Sequence, residues 1–309
     1  MIDIAALQGV WAALPVPWAA NGTVDSGLVA ELVQRYRAAG VDGVYTTGTD
    51  GEMHVLEWED IRRLVDAFAA AVQAAGLPAQ VGCTWSHTEG VLRRMRYAQE
   101  RGIGCVQVAL PSWVPLGDDE VRRFFAELQA GCPDVCLVHY NIARAGRFLT
   151  GRDYLAILEV APNLVGTKHT GGDAGSLIEI VQATPTMRHF VVDQQIVPGA
   201  LFGSKGFYSF LVNLSPRFAV ELWRDCRRGD WTEAARKRVV ADAFFRDWLR
   251  EEGLPTASPA LAKIATRAGI FPEMPLAVRA PYRAGTAVQV AALRALLEER
   301  YRELSYEIR

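Results

Sequence analysis

The sequence predicts an α/β fold: a (β/α)8 TIM barrel followed by a C-terminal helical extension. Three observations predict it. Eight short apolar runs recur along the chain, amphipathic stretches separate them, and beyond about residue 212 only helical patterns follow. Crossovers of this length imply parallel strand pairing, because a parallel connection needs a dozen or more residues. Eight such units make a closed barrel the leading architecture, with an open doubly wound sheet as the other arrangement the pattern allows.

The apolar runs are 9–17, 42–47, 79–85, 105–110, 135–140, 164–170, 189–193 and 206–211. Helical periodicity fills 26–39, 57–75, 89–101, 118–129 and 150–160. Capping residues mark several helix starts: Asp25 or Ser26 for the first, Asp118 for the fourth, Thr150 for the fifth and Asp173 for the sixth. Gly40 and Gly102 stand where helices should stop. The tail reads as helices over 216–227, 231–252, 259–268 and 287–304. The expected organisation is a barrel over 1–212 and a helical region over 213–309. No Pro/Gly/Ser-rich linker separates them, so the tail is expected to pack on the barrel.

Composition narrows the function. Of 309 residues, 50% are hydrophobic and 22% charged, which suits a globular chain with a large core. The net charge of −2 leaves no basic excess for a phosphate backbone, so no nucleic-acid partner is expected. No run approaches the roughly 20 apolar residues of a membrane span, and Met1-Ile2-Asp3 lacks the basic start of a signal peptide. Five scattered cysteines argue against a disulfide framework. These features point to a cytoplasmic protein.

In a parallel barrel, reactive residues gather at the C-terminal ends of strands. There the fifth run carries His139-Tyr140-Asn141, the sixth Gly166-Thr167-Lys168, and the second leads into Gly48-Thr49-Asp50-Gly51-Glu52. Strand alternation puts Lys168 on the inner face above Gly166, whose missing side chain leaves room. A buried cation is expensive without a function or a partner. The function open to this amine is Schiff-base formation; a plain pairing with a loop carboxylate is the alternative. Tyr140 follows the same alternation, so its phenol can move protons beside Lys168 or simply fill the barrel mouth.

Taken together, these segments resemble the dihydrodipicolinate synthase / N-acetylneuraminate lyase superfamily. Gly48-Thr49-Asp50-Gly51-Glu52 is similar to its Gly-Thr/Ser-Thr-Gly-Glu motif. Tyr140-Asn141, and Gly166-Thr167-Lys168 leading to Gly172-Asp173, look like two more. Pro15 to Asp25 resembles its opening, and Gly203-Ser204-Lys205-Gly206 to Asn213 and Pro216 its eighth-strand region. The resemblance implies class I aldolase-type chemistry. Lys168 would form an imine with a 2-oxo acid such as pyruvate, and Tyr140, held by the Thr49 hydroxyl, would transfer protons. Backbone N–H groups around Thr49 and Asp50 would bind the carboxylate. It further implies no metal or organic cofactor beyond the covalent imine on Lys168, an aldehyde as the other partner, and a homotetramer or homodimer.

The departures from the family pattern are specific. Asp50 replaces a threonine, and two negative charges about 4 Å apart repel by roughly 4 kcal/mol at an effective dielectric near 20. Asp50 must therefore turn away, be protonated, or meet a cationic or hydroxylated part of the substrate. Trp113 stands where the synthase branch has a tyrosine, and an indole donates but cannot relay a proton. Pro111-Ser112-Trp113 more resembles the hydratase-aldolase branch, in which an aromatic residue can stack on an aryl substrate; Trp113 can equally be an interface residue. Arg144, or Arg147 in a loop one residue shorter than the family's, is the candidate for a second carboxylate. Gln194 and Gln195 fall near positions used for substrate hydroxyls, and Ser209 is a similar candidate.

The five histidines show no metal-ligand spacing, so no metal site is expected. His139 and His169 should face outward if Tyr140 and Lys168 face in. Gly171 to Gly175 reads as a turn before a capped helix rather than a phosphate site. The expected activity is a carbon–carbon lyase running aldol condensation or retro-aldol cleavage. The other readings are a 2-oxo acid dehydratase using the same imine, 4-hydroxy-tetrahydrodipicolinate synthase, and a non-catalytic ligand-binding paralogue.

Overall fold

The computed structural model describes residues 4–252 and 258–306. The first three residues, on which the signal-peptide expectation partly rests, lie outside the described residues. Eight parallel strands form a closed barrel in sequence order: β1 (Gly9–Ala13), β2 (Gly43–Thr46), β3 (Ala79–Gly82), β4 (Cys105–Val108), β5 (Cys136–Ile142), β6 (Leu164–Thr170), β7 (Arg188–Val192) and β8 (Gly206–Tyr208). The helices that follow them are α1 (Ser26–Ala38), α2 (Trp58–Ala75), α3 (Thr88–Glu100), α4 (Asp118–Gly131), α5 (Gly151–Leu158), α6 (Ala174–Ala183), α7 (Ile196–Leu201) and α8 (Leu211–Leu214). The C-terminal region adds α9 (Pro216–Arg228), α10 (Trp231–Glu252), α11 (Pro259–Ala268) and α12 (Ala287–Arg300). The barrel and its helical extension are thus the architecture that the alternation predicts.

By compactness the chain divides into two units, Met1–Gly9 with Pro78–Phe207, and Val10–Leu77 with Tyr208–Arg309. The first holds β3 to β7. Its strands are buried on both faces, as parallel strands covered by helices must be. The second holds β2, α1, α2 and the C-terminal helices. Here Phe218, Phe244, Trp248, Ile264, Leu293 and Leu297 form one apolar cluster. Each such side chain contributes roughly 1.5–3 kcal/mol when removed from water. The rings of Phe244 and Trp248 stack at 5.7 Å, and α9 packs on α10 as α11 does on α12.

Local signals mostly act where the sequence places them. Asp25, Thr150 and Asp173 accept backbone N–H groups of Leu28, Asp153 and Ser176 as N-caps. Asp118 does not cap α4. The cap position is Gly117, whose N–H donates to the Glu120 carboxylate at 2.7 Å, while Asp118 pairs with Arg147 at 2.9 Å. All five cysteines are free and buried. Among the described residues, no helix is long and apolar enough to cross a membrane.

Candidate active site

The β5–β6 ladder sets the first half of the site. Tyr140 pairs in register with Lys168, after a register shift at Leu137/Val138. His139 and Thr167, one residue earlier on each strand, point the opposite way. His139 Nδ1 lies 2.7 Å from the Tyr154 hydroxyl of α5, and the Thr167 hydroxyl 3.0 Å from His189 Nδ1. Period-two alternation therefore turns Tyr140 and Lys168 together onto the inner face. Both are buried, and the Lys168 Nζ sits 4.1 Å from the centre of the Tyr140 ring. The ring face is a favourable neighbour for an ammonium.

Gly166 also answers a close approach by the neighbouring strand. A Cβ there would lie 2.5 Å from the Arg188 carbonyl oxygen, so it is the close approach of β7 that requires glycine.

Burial disfavours the charged forms of three histidines of this unit. It pushes His139 down to about 3 and His189 to about 4, and it also lowers His169. His139 packs edge-on against Phe125 and Tyr154, facing outward as expected of it. Asn141 clasps the β5–α5 loop, its amide accepting the Leu149 N–H at 2.9 Å and donating to the Leu149 carbonyl at 2.9 Å. That bond explains why an asparagine follows Tyr140.

The candidate residues on the loops differ in their surroundings. Arg147 donates to the Leu116 carbonyl and forms ion pairs with Asp118 and Asp153. It holds the loop after β5, whereas Arg144 is exposed, on the 3-10 turn Ala143–Ala145. Gln194 is exposed. Gln195 is buried, with Nε2 donating to the Gly171 carbonyl at 3.0 Å and Oε1 without a hydrogen-bond partner among the described residues. Trp113 is 94% exposed, beside exposed Val114.

In the second unit, β2 runs into a turn over Thr47–Glu52. Thr47 and Glu52 both adopt left-handed backbone conformations, at φ 55 and 54. Such conformations are strained for non-glycine residues, most of all for a β-branched one. A Cβ on Gly48 would fall 1.9 Å from the Tyr45 hydroxyl, so glycine is required there. Thr49 and Asp50 are partly buried, and the Asp50 charge adds to burial in raising the Tyr36 phenol. Ser209, after β8, accepts the Leu211 N–H at 3.0 Å.

Sequence reasoning gave no role to the last residue of this turn. Glu52 is fully buried, 2.6 Å from the Nζ of equally buried Lys263. Burial pulls Lys263 down to about 8 against the upward pull of Glu52. The signal was there to find: Lys263 is a lone cation in the apolar stretch Pro259-Ala260-Leu261-Ala262-Lys263-Ile264-Ala265.

Residues 6–292 match the model of the dihydrodipicolinate synthetase family. The chain belongs to that family. It is 25% identical over 242 residues to the trans-O-hydroxybenzylidenepyruvate hydratase-aldolase of Pseudomonas putida, covering 74% of this chain and 72% of the relative. It is 27% identical over 292 residues to the N-acetylneuraminate lyase of Rhizobium meliloti, covering 93% of each. Its fold is similar to a sialic acid aldolase of Ruminococcus gnavus solved as a catalytic lysine mutant. The TM-score is 0.88 at 19% identity, over 98% of this chain and 100% of the other. As a member of this family, the protein is a carbon–carbon lyase of the pyruvate-dependent, Schiff-base class.

Proposed function

We propose that Lys168 is the imine-forming residue of this lyase and Tyr140 its proton-transferring phenol, acting on pyruvate or a related 2-oxo acid and an aldehyde. The observation that supports this most directly is the register pairing of Tyr140 with Lys168, ring and ammonium 4.1 Å apart on one face. In the cleavage direction, the Lys168 amine attacks the C2 carbonyl and water leaves, giving a protonated imine. Tyr140 takes the proton of the C4 hydroxyl, and the C3–C4 bond breaks. Its electron pair passes into the imine, leaving an enamine and an aldehyde. Protonation at C3 and hydrolysis of the imine release the 2-oxo acid and restore the amine. Condensation is the reverse.

The family motif assigns the backbone of Thr49 and Asp50 to the substrate carboxylate and the Thr49 hydroxyl to Tyr140. With an aspartate in that turn, substrates carrying a hydroxyl or cationic group near the carboxylate are favoured over bare pyruvate. Arg144, Ser209 and Trp113 are assigned to the remainder of the substrate. Between the two glutamines, Gln195 is the stronger candidate for a substrate hydroxyl, since its buried Oε1 is an acceptor without a donor. The same reading takes the protein as a cytoplasmic homotetramer or homodimer that needs no metal or organic cofactor, the protonated imine being the electron sink.

Borohydride reduction in the presence of pyruvate, followed by intact mass and peptide mapping, tests the assignment. The expected result is one pyruvate-sized adduct per chain, on Lys168 and absent from Lys168→Ala. A folded protein that stays unmodified with pyruvate and with longer 2-oxo acids overturns it.

A further inference from the structure

The Glu52 carboxylate gathers donors from three segments far apart in the chain. It accepts from the Trp18 indole N–H at 3.0 Å, from Lys263 of α11 at 2.6 Å, and from the Arg279 backbone N–H at 3.2 Å. Lys263 also donates to the Ala277 carbonyl, and the Arg279 guanidinium runs on to Asp60 at 2.7 Å, at the start of α2. The guanidinium also covers the Trp18 ring at 4.4 Å. A buried ion pair is poor value as a source of stability alone, since desolvation offsets most of the attraction. Its effect here falls on the turn. Glu52 is held in a left-handed conformation that a non-glycine residue keeps only when its surroundings over-determine it.

That conformation carries two hydrogen bonds. The Glu52 N–H donates to the Thr49 carbonyl at 3.1 Å, and the Met53 N–H to the Gly48 carbonyl at 3.0 Å. A peptide unit is planar and trans, so its N–H points opposite to its C=O. Fixing the Gly48 and Thr49 carbonyls inward thus fixes the N–H groups of Thr49 and Asp50 outward.

We propose that Glu52 and Lys263 are positioning residues, a pair by which α11 of the C-terminal helical region sets the aim of the Thr49 and Asp50 amides at the substrate carboxylate. This rests on the lyase reading above. The pair acts on capture of the 2-oxo acid and leaves the reactivity of Lys168 intact. Its loss therefore weakens substrate binding without stopping imine formation.

The test measures borohydride trapping of pyruvate as a function of pyruvate concentration in wild type, Glu52→Gln, Lys263→Met and the double variant. Circular dichroism and urea unfolding confirm the fold of each. Each single variant should raise the half-saturating pyruvate concentration about tenfold, with the limiting trapping rate within about twofold of wild type. The double variant should be no worse than the poorer single, because both remove one device. If either single fails to fold, Trp18→Phe removes only the indole donor and should raise half-saturation severalfold. Folded variants with wild-type half-saturation overturn this inference alone. An equal fall in limiting rate and affinity also overturns it, since the pair would then act on Lys168 chemistry. Absence of trapping in wild type overturns the lyase reading, and this inference with it.

Discussion

Tyr140 and Lys168 are direct neighbours across the β5–β6 ladder, with the Lys168 Nζ over the phenol ring, 4.1 Å from its centre. The ring and the hydroxyl can therefore be separated by mutation. Tyr140→Phe keeps the aromatic face over which Lys168 lies and removes only the proton-transferring oxygen. Trapping of pyruvate on Lys168 should persist, while turnover of an aldol substrate falls about 10²–10⁴-fold. Loss of trapping in a folded Tyr140→Phe protein would show instead that the hydroxyl is needed to form the imine.

Acid should destabilise the protein well before its carboxylates titrate. His139 and His189 remain neutral in the native state down to about 3 and about 4, because burial disfavours their charged forms. The unfolded chain binds those protons near pH 6.5. Between pH 6.5 and 4 the unfolded state thus holds more protons, and stability falls as the pH falls. The contribution of His189 is on the order of 3 kcal/mol across that window. Urea midpoints measured from pH 7 to 4 should decline steadily, and less steeply in His189→Asn. A flat profile would contradict the burial of these rings.

The two loop arginines should respond differently to truncation. Arg147→Ala removes a carbonyl hydrogen bond and two carboxylate contacts, and should cost roughly 1–2 kcal/mol of stability. Arg144→Ala should weaken substrates bearing a second anionic group. Denaturant melts beside competition by mono- and dicarboxylic 2-oxo acids would distinguish them. A reversed pattern would return the substrate role to Arg147.

Much of this was legible from the chain because it depends on short-range periodicity. Alternating runs gave all eight strands, and Tyr140 and Lys168 share a face because side chains in any strand repeat every second residue. Capping by Asp25, Thr150 and Asp173 is equally local, since each side chain reaches an N–H three residues on. Asp118 misled because a competing cation, Arg147, arrives from another loop. The second constraint on Gly166 was not legible, because the backbone it must admit belongs to the neighbouring strand β7.

The sequence by itself determined the fold class, the helical extension, and that Tyr140 and Lys168 share one strand face. Only the tertiary structure decided which arginine holds the β5–α5 loop, which glutamine is buried, and that Glu52 ends in an ion pair with Lys263. The physical reason is range. Alternation and capping are settled within a few residues, whereas a buried charge finds its partner only when distant segments pack and exclude water together.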